Sequence, residues 1–207
     1  MQVWSRQRGV SLIRVRASVD TGDRPRWRTP ARRRERGFSL VELLITMAVA
    51  VVLIVIAVPS FKSLTLSNKL TTAANDIVNA IHVARMEAVK RNANTQLCSN
   101  AASANSTDTL GKACTTEVGA VYAMAAGAAS QVLAGTVGIT GAVQLKGDVT
   151  AIRFGGQGLG QKVGTTTPYT GTVADLCTSQ MSKDNHRIIS MTTGSILVVD
   201  TSSGACP

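Results

Sequence analysis

Aromatic and histidine side chains are scarce in this chain. Aromatic residues make up 3% of the 207 positions, and the two histidines are His82 and His186. Proteins that bind single-stranded nucleic acid stack its bases on aromatic side chains, and zinc hydrolases commonly use paired helical histidines. The composition therefore gives no support to either kind of site, and we expect both histidines to be structural or exposed to solvent.

Motifs of common catalytic and nucleotide-binding sites are also missing. The chain contains no Gly-x-Ser-x-Gly nucleophile elbow. The glycine cluster at 155–160 departs from the dinucleotide-binding pattern, because Gln161 occupies the position of the third glycine. We expect that cluster to form a loop between strands. The sequence predicts a protein that is not an enzyme and has no catalytic residues, no metal site and no cofactor.

The excess of positive charge lies at the amino terminus. The chain carries 22 Lys and Arg against 12 Asp and Glu, a net charge of +10. Residues 1–37 hold eleven arginines and three acidic residues, a net +8, so the other 170 residues together carry only +2. A basic segment therefore precedes a nearly neutral body, and that body offers few cations for the phosphates of a nucleic acid.

An apolar run follows the basic segment. Residues 40–58 are nineteen positions with one charge, and Pro59 follows them. A helix of that length rises about 28 Å, close to the hydrocarbon thickness of a bilayer. Because the basic flank precedes the run, the positive-inside rule predicts a cytoplasmic amino terminus and a periplasmic carboxyl-terminal domain. No Ala-x-Ala site follows the run, so we predict an inner-membrane span rather than a cleaved secretory signal.

The one charge in this run has a recognisable context. Burying the Glu42 carboxylate at the centre of a bilayer costs about 2.5–3.5 kcal/mol, which implies a partner. The segment Arg36-Gly37-Phe38-Ser39-Leu40-Val41-Glu42-Leu43-Leu44-Ile45 resembles the class III signal of type IV prepilins and pseudopilins. The resemblance implies that a prepilin peptidase cuts between Gly37 and Phe38 and methylates the new amine of Phe38. It also implies that Glu42 neutralises the terminal amine of a neighbouring subunit.

Two consequences follow for the amino-terminal segment. We expect the helix to begin at Phe38, so that one turn separates Phe38 from Glu42 and both lie on one helix face. The 37-residue leader is also longer than the usual short basic leaders. A start codon assigned too early would explain that length, and residues 1–30 would then not be translated.

A second helical pattern follows Pro59, which we expect to produce at most a kink. Apolar residues recur there at steps of three and four, which predicts an amphipathic helix to about Arg91 with one stripe packed on a sheet. We count Pro59 with Glu42 among the residues that serve assembly. The stripe consists of Leu66, Leu70, Ala73, Ile77, Ile81, Ala84 and Ala88.

The segment 81–98 resembles the GspH/FimT branch of pilin-like proteins, in which an Ala-Arg-x-Glu-Ala helix enters a first strand that ends in cysteine. Short apolar groups separated by glycines predict strands after it, and the last two runs predict a closing hairpin around Thr192-Thr193-Gly194. The fold class is α+β: a long amino-terminal helix packed on an antiparallel sheet. We divide the chain into a leader at 1–37, a transmembrane helix at 38–59, an amphipathic helix at 60–92 and a periplasmic β-rich domain at 93–207.

Four cysteines permit three disulfide pairings, and a periplasmic domain lies in an oxidising compartment. We favour Cys98 with Cys114 and Cys177 with Cys206, because each pair closes a short loop. A zinc site is the alternative, but no Cys-x-x-Cys and no nearby histidine supports it.

Three functions remain open within this branch. The first is a structural minor subunit of a type IV pilus, whose partners are the prepilin peptidase and other minor and major pilins. The second is a minor pseudopilin of a type II secretion system. The third is a DNA-binding minor pilin, but DNA-binding members carry Gly-Arg-x-Arg on the closing hairpin, where this chain has Gly194-Ser195-Ile196-Leu197. Lys162, Lys183 and Arg187 are the candidates for a local basic patch.

Overall fold

The computed structural model describes residues 37–136 and 138–207. Leu44–Pro207 form one compact unit, which the short segment 37–43 precedes. The predicted basic leader lies outside the described residues except for Gly37.

One long helix, α1, spans Leu40–Arg91. Residues 44–65 are all exposed, whereas a single stripe is buried from Leu66 onward. All seven positions of the predicted stripe are buried, so that prediction is confirmed. Pro59 lies inside the helix, and because it has no N–H, the carbonyl of Val55 loses its helical donor.

Within the described residues, nine strands form two antiparallel sheets. The first sheet has the order β3-β2-β1-β5-β6 and is built from β1 (Thr95–Leu97), β2 (Val121–Ala125), β3 (Ala128–Leu133), β5 (Ile152–Phe154) and β6 (Gly160–Lys162). The second has the order β4-β7-β8-β9 and is built from β4 (Gln144–Leu145), β7 (Gly171–Cys177), β8 (His186–Thr192) and β9 (Ile196–Ser202). The predicted α+β class is therefore confirmed, with the strands divided between two sheets.

The core lies between the α1 stripe and the two sheets. The first sheet contributes Ile152 and Phe154, and the second contributes Leu176 and Ile189, all fully buried. Burying one such side chain stabilises the fold by about 1.5–3 kcal/mol. With few aromatic residues, the domain depends on many small aliphatic contacts, and alanines on α1 let the sheets approach the helix closely.

Two elements differ from the sequence expectations. A short helix, α2 (Thr109–Ala113), lies in the segment between β1 and β2, where Asp108 caps it by accepting a hydrogen bond from Gly111 N–H at 2.9 Å. The glycine cluster forms the connection from β5 to β6 as expected, but its last residue, Gly160, is already in a strand. A Cβ there would lie 2.9 Å from Met191 Sδ, so glycine lets the two sheets meet.

Candidate processing and assembly site

The segment 37–43 begins as irregular backbone and enters α1 at Leu40. The Ser39 side chain caps the helix, because its Oγ accepts a hydrogen bond from Glu42 N–H at 3.1 Å. The carbonyl of Ser39 accepts the first helical bond, from Leu43 N–H at 3.1 Å. Ser-x-x-Glu is the capping-box pattern, and it fixes the helix start immediately after the Gly37–Phe38 bond. This signal was readable from the sequence.

The same cap corrects one expectation about Phe38. Because Ser39 is the N-cap, Phe38 precedes the helix, and it does not share a helical face with Glu42 one turn later. Phe38 is 79% exposed, and a Cβ on Gly37 would have no atom within 4 Å. The Gly37–Phe38 bond is therefore exposed and non-helical, which are properties of protease-accessible backbone.

Glu42 occupies the first turn of α1 and is exposed. A carboxylate in this position is stabilised by the unpaired N–H groups of the helix start. No salt bridge within 37–136 or 138–207 includes Glu42. The arrangement therefore leaves this carboxylate accessible to a cation supplied from outside the described residues.

The exposed half of α1 is an apolar surface. Between 44 and 65, thirteen large apolar side chains from Leu44 to Leu64 are more than half exposed, among them Ile54 at 58% and Ile56 at 67%. The helix is long and apolar enough to cross a membrane. At 1.5 Å per residue, residues 44–65 extend about 33 Å, close to the bilayer's hydrocarbon thickness.

Arg85 connects the buried half of α1 to the domain. Its Nη2 donates hydrogen bonds to the carbonyls of Gly194 at 3.4 Å and Ser195 at 2.8 Å. Both carbonyls belong to the connection between β8 and β9. Partial burial lowers the pKa of Arg85 from its ordinary value, yet arginine stays charged at any pH a protein survives. The Ala-Arg-x-Glu-Ala segment thus joins the helix to the closing hairpin.

Both disulfides join an element end to a loop or tail. Cys98, directly after β1, pairs with Cys114, directly after α2, with a Cα–Cα distance of 5.6 Å. Cys177, the last residue of β7, pairs with Cys206 in the carboxyl-terminal tail, at 5.7 Å. The tail is also held by Asn185, whose side chain exchanges two hydrogen bonds with the backbone of Gly204.

His186 and Arg187, the first two residues of β8, are both buried. His186 is 1% exposed, and its Nδ1 lies 2.9 Å from Asp175 Oδ1. Arg187 is 8% exposed and donates to Ser67 Oγ on α1 at 2.9 Å. The prediction that Arg187 belongs to an exposed basic patch is therefore wrong, because side-chain alternation along β8 directs this arginine toward the helix. His82 is exposed on α1.

Every arginine from position 37 onward makes hydrogen bonds inside the protein. Arg91 pairs with Glu87 at 2.6 Å, and this hydrogen bond lowers the pKa of that glutamate. Arg153 pairs with Asp108, while Arg85 and Arg187 bind the groups described above. The described residues contain no group of three or more His, Cys, Asp or Glu that could hold a metal ion.

Comparison with known families agrees with these features. The family model described as type II transport protein GspH matches residues 73–195. The prokaryotic N-terminal methylation motif matches residues 32–58, which include the Gly37–Phe38 bond, Glu42 and most of the exposed apolar part of α1. No curated protein and no solved structure that was compared gives a match.

The two matches together indicate a structural minor pilin or pseudopilin. The methylation motif implies processing by a prepilin peptidase and assembly with other pilins, and with the apolar helix it indicates membrane anchoring. Since the GspH match covers more than half of the chain, this protein belongs to the GspH family of pilin-like proteins.

Proposed function

We propose that this chain is a structural minor subunit of a type IV pilus, cleaved between Gly37 and Phe38 and methylated on the amine of Phe38. One observation carries the proposal: a capped helix begins just after an exposed Gly–Phe bond, with Glu42 in its first turn and an exposed apolar stretch behind it. An ordinary membrane anchor requires neither the cleavable bond nor the carboxylate.

Cleavage changes the electrostatics of the helix start. Hydrolysis at Gly37 removes the basic leader and creates a positive amine on Phe38, beside helix N–H groups that disfavour positive charge. Glu42 compensates on the same chain or, in a filament, on the adjacent subunit. In the apolar environment of packed helices an unpaired carboxylate costs several kcal/mol, so pairing with an amine favours insertion at one defined axial position.

The orientation follows from the leader. Eleven arginines before the span keep the amino terminus in the cytoplasm, so the two-sheet domain with its disulfides lies on the periplasmic side. Cleavage then takes place at the cytoplasmic edge of the membrane, and the span stays attached to the mature protein. After assembly, the domain is presented on the outside of the filament, near its tip.

The engaged arginines support a structural role over DNA capture. Nucleic-acid binding requires cations whose charge is available to phosphates. Here Arg153 and Arg187 already bind Asp108 and the α1 hydroxyls, and the hairpin at Gly194 carries no arginine. We therefore expect no salt-dependent binding of DNA at micromolar protein concentration.

A type II secretion pseudopilus is the second candidate, because the matching family is described as a type II transport protein. The two systems share the processing signal and differ in what they export. Deletion of the gene separates them: loss of surface pili with normal secretion supports the pilus, and retention of secreted enzymes in the periplasm supports the pseudopilus.

Glu42 tests the assembly role directly. The variant Glu42→Val should insert in the inner membrane like the wild-type chain but be lost from the sheared filament fraction. Glu42→Asp keeps the charge and serves as the matched control, with partial incorporation expected. If Glu42→Val enters filaments at the wild-type level, the pairing role of this carboxylate is wrong.

A further inference from the structure

Strand β9 is an open edge of the second sheet. It pairs with β8 along all seven residues without a register shift, and nothing within the described residues pairs with its other side. It contains no proline and no lysine, and Asp200 is its one charge. Ile196, Val198 and Val199 are 59%, 44% and 43% exposed. A long, regular edge of this kind is a template for another strand.

The other sheet edges are protected in ways that β9 is not. β4 has two residues and β6 has three. β6 is also covered by a bridge between Gln161 and Pro168. β3 is longer, but its register against β2 shifts, and its exposed positions hold small or polar residues. Three of the four sheet edges are thus short, covered or irregular, which protects them from pairing with another chain. The edge at β9 is long, regular and apolar, and it lacks this protection.

Strand β8 connects the β9 edge to the part of α1 where the exposed half of the helix ends. Arg187 of β8 donates to Ser67 and Thr71 of α1, and its register partner on β9 is Thr201. Val199 shares the helix-facing side of the sheet with Ile189, yet α1 leaves it 43% exposed. The partly uncovered side of β9 thus lies beside the point where α1 passes from its buried to its exposed half.

We propose that β9 pairs with an extended segment of the adjacent pilin-type subunit, whose helix packs along the exposed half of α1. This inference rests on the proposed filament function. Subunits in an open helical filament contact each other through two different surfaces. The segment that pairs with β9 is therefore not the neighbour's strand equivalent to β9. Main-chain hydrogen bonds supply affinity, and alternate apolar side chains opposite Ile196 and Val198 supply register.

Photo-crosslinking in the full-length chain tests the contact. A photoreactive amino acid is placed at Val198 and, as the matched control, at Ala128 on the edge of β3. We expect position 198 to give a crosslink to another pilin-type subunit in the filament fraction, identified by mass spectrometry, and position 128 to give at least fivefold less. A crosslink between two copies through β9 itself, or equal yields at both positions, overturns the inference.

Substitutions test the energetic role of the same edge. Val198→Lys puts a charge on the pairing edge and should reduce incorporation into sheared filaments roughly fivefold or more. Val198→Thr keeps a β-branched residue without a charge, and Ala128→Lys puts the same charge on β3, so both should assemble normally. Non-reducing electrophoresis of each variant checks that both disulfides form, as a folding control.

The outcomes separate this inference from the proposed function. If the wild-type chain is absent from both type IV pili and type II secretion pseudopili, the proposed function fails, and this inference fails with it. If the wild-type chain assembles and Val198→Lys assembles equally well without a crosslink at 198, only the β9 contact is wrong.

Discussion

Arg85 of α1 lies over the ring of Phe154 in β5, with its guanidinium carbon 5.7 Å from the ring centroid. The same side chain donates to the Ser195 carbonyl at 2.8 Å. One residue of the helix therefore contacts a strand of the first sheet and the hairpin of the second. This explains why a charged residue stands beside a buried stripe of aliphatic residues.

Replacement of Arg85 by methionine should destabilise the domain by about 2 kcal/mol, because it removes charged hydrogen bonds to two carbonyls and a cation–π contact. The control is Arg91→Met, which breaks a surface pair with Glu87 and should destabilise the domain clearly less, because surface ion pairs contribute little to stability. Urea unfolding of the detergent-solubilised full chain, followed by circular dichroism, measures both. Equal losses for the two variants would contradict the connecting role of Arg85.

Gly194 should tolerate alanine poorly. Its φ is +67°, and a Cβ would lie 2.3 Å from the carbonyl oxygen of Gly160. The matched control is Gly164, whose φ is +80° but whose Cβ would meet no atom within 4 Å. We expect about 1–2 kcal/mol for Gly164→Ala from backbone strain, and at least about 3 kcal/mol for Gly194→Ala from strain plus overpacking. Thermal unfolding of the two variants compares these losses. Indistinguishable midpoints would argue against the close approach of Gly194 to Gly160.

Asp108 should make the stability of the domain depend on pH in the acidic range. A hydrogen bond from Arg153 holds the pKa of this carboxyl well below its usual range. Its contribution to stability is therefore complete above the unfolded pKa of about 4 and declines as the pH falls toward the lower folded value. Asp108→Asn keeps the cap of α2 but removes the charge. The stability difference between wild type and this variant should shrink between about pH 5 and pH 2.

A double-mutant cycle identifies the cause of that response. Arg153→Met should reproduce the change in pH dependence, and combining it with Asp108→Asn should add little. Additive effects across this pH range would mean that Arg153 is not the source of the shift.

The disulfide between Cys177 and Cys206 should contribute substantially to stability, although it lies near the carboxyl terminus. Cys177 and Cys206 are 29 residues apart, and closing a loop of that length is worth about 3–4 kcal/mol in the chain-entropy model. Replacing both cysteines by alanine should lower the free energy of unfolding by that amount. Non-reducing peptide mapping of the wild-type chain should recover Cys98 with Cys114 and Cys177 with Cys206, and crossed pairs would contradict the structure.

The sequence predicted α1 well because its two halves follow simple patterns. Nineteen nearly uncharged positions indicate an apolar helix, and the spacing from Leu66 to Ala88 indicates a single buried stripe. The hairpin at Thr193 was also predictable, since two β-branched runs flank a turn sequence. These features depend on local periodicity and on few long-range contacts.

The parts that escaped prediction depend on contacts distant in sequence. β3 contains Ala128, Ser130 and Gln131, whose low apolarity reflects an edge position rather than a loop. Arg187 looked like a surface cation, but its burial follows from hydroxyls on α1 more than a hundred positions away. No periodicity in the sequence indicates that pairing.

The sequence identified the residues of the amino-terminal site, but the predicted start of the helix was wrong. The resemblance identified Gly37, Phe38 and Glu42, but the helix was expected to include Phe38. The Ser39 cap starts α1 later, because its hydroxyl satisfies the N–H of Glu42. Processing and pairing at these residues stay predictions.

The most direct test is the amino terminus of the mature protein. Purification from the envelope of cells that contain prepilin peptidase, followed by mass spectrometry of the amino-terminal peptide, gives the residue and its modification. We expect a peptide that begins at Phe38 and carries one additional methyl group. A mature chain that keeps the leader, or begins after the apolar helix, would contradict it.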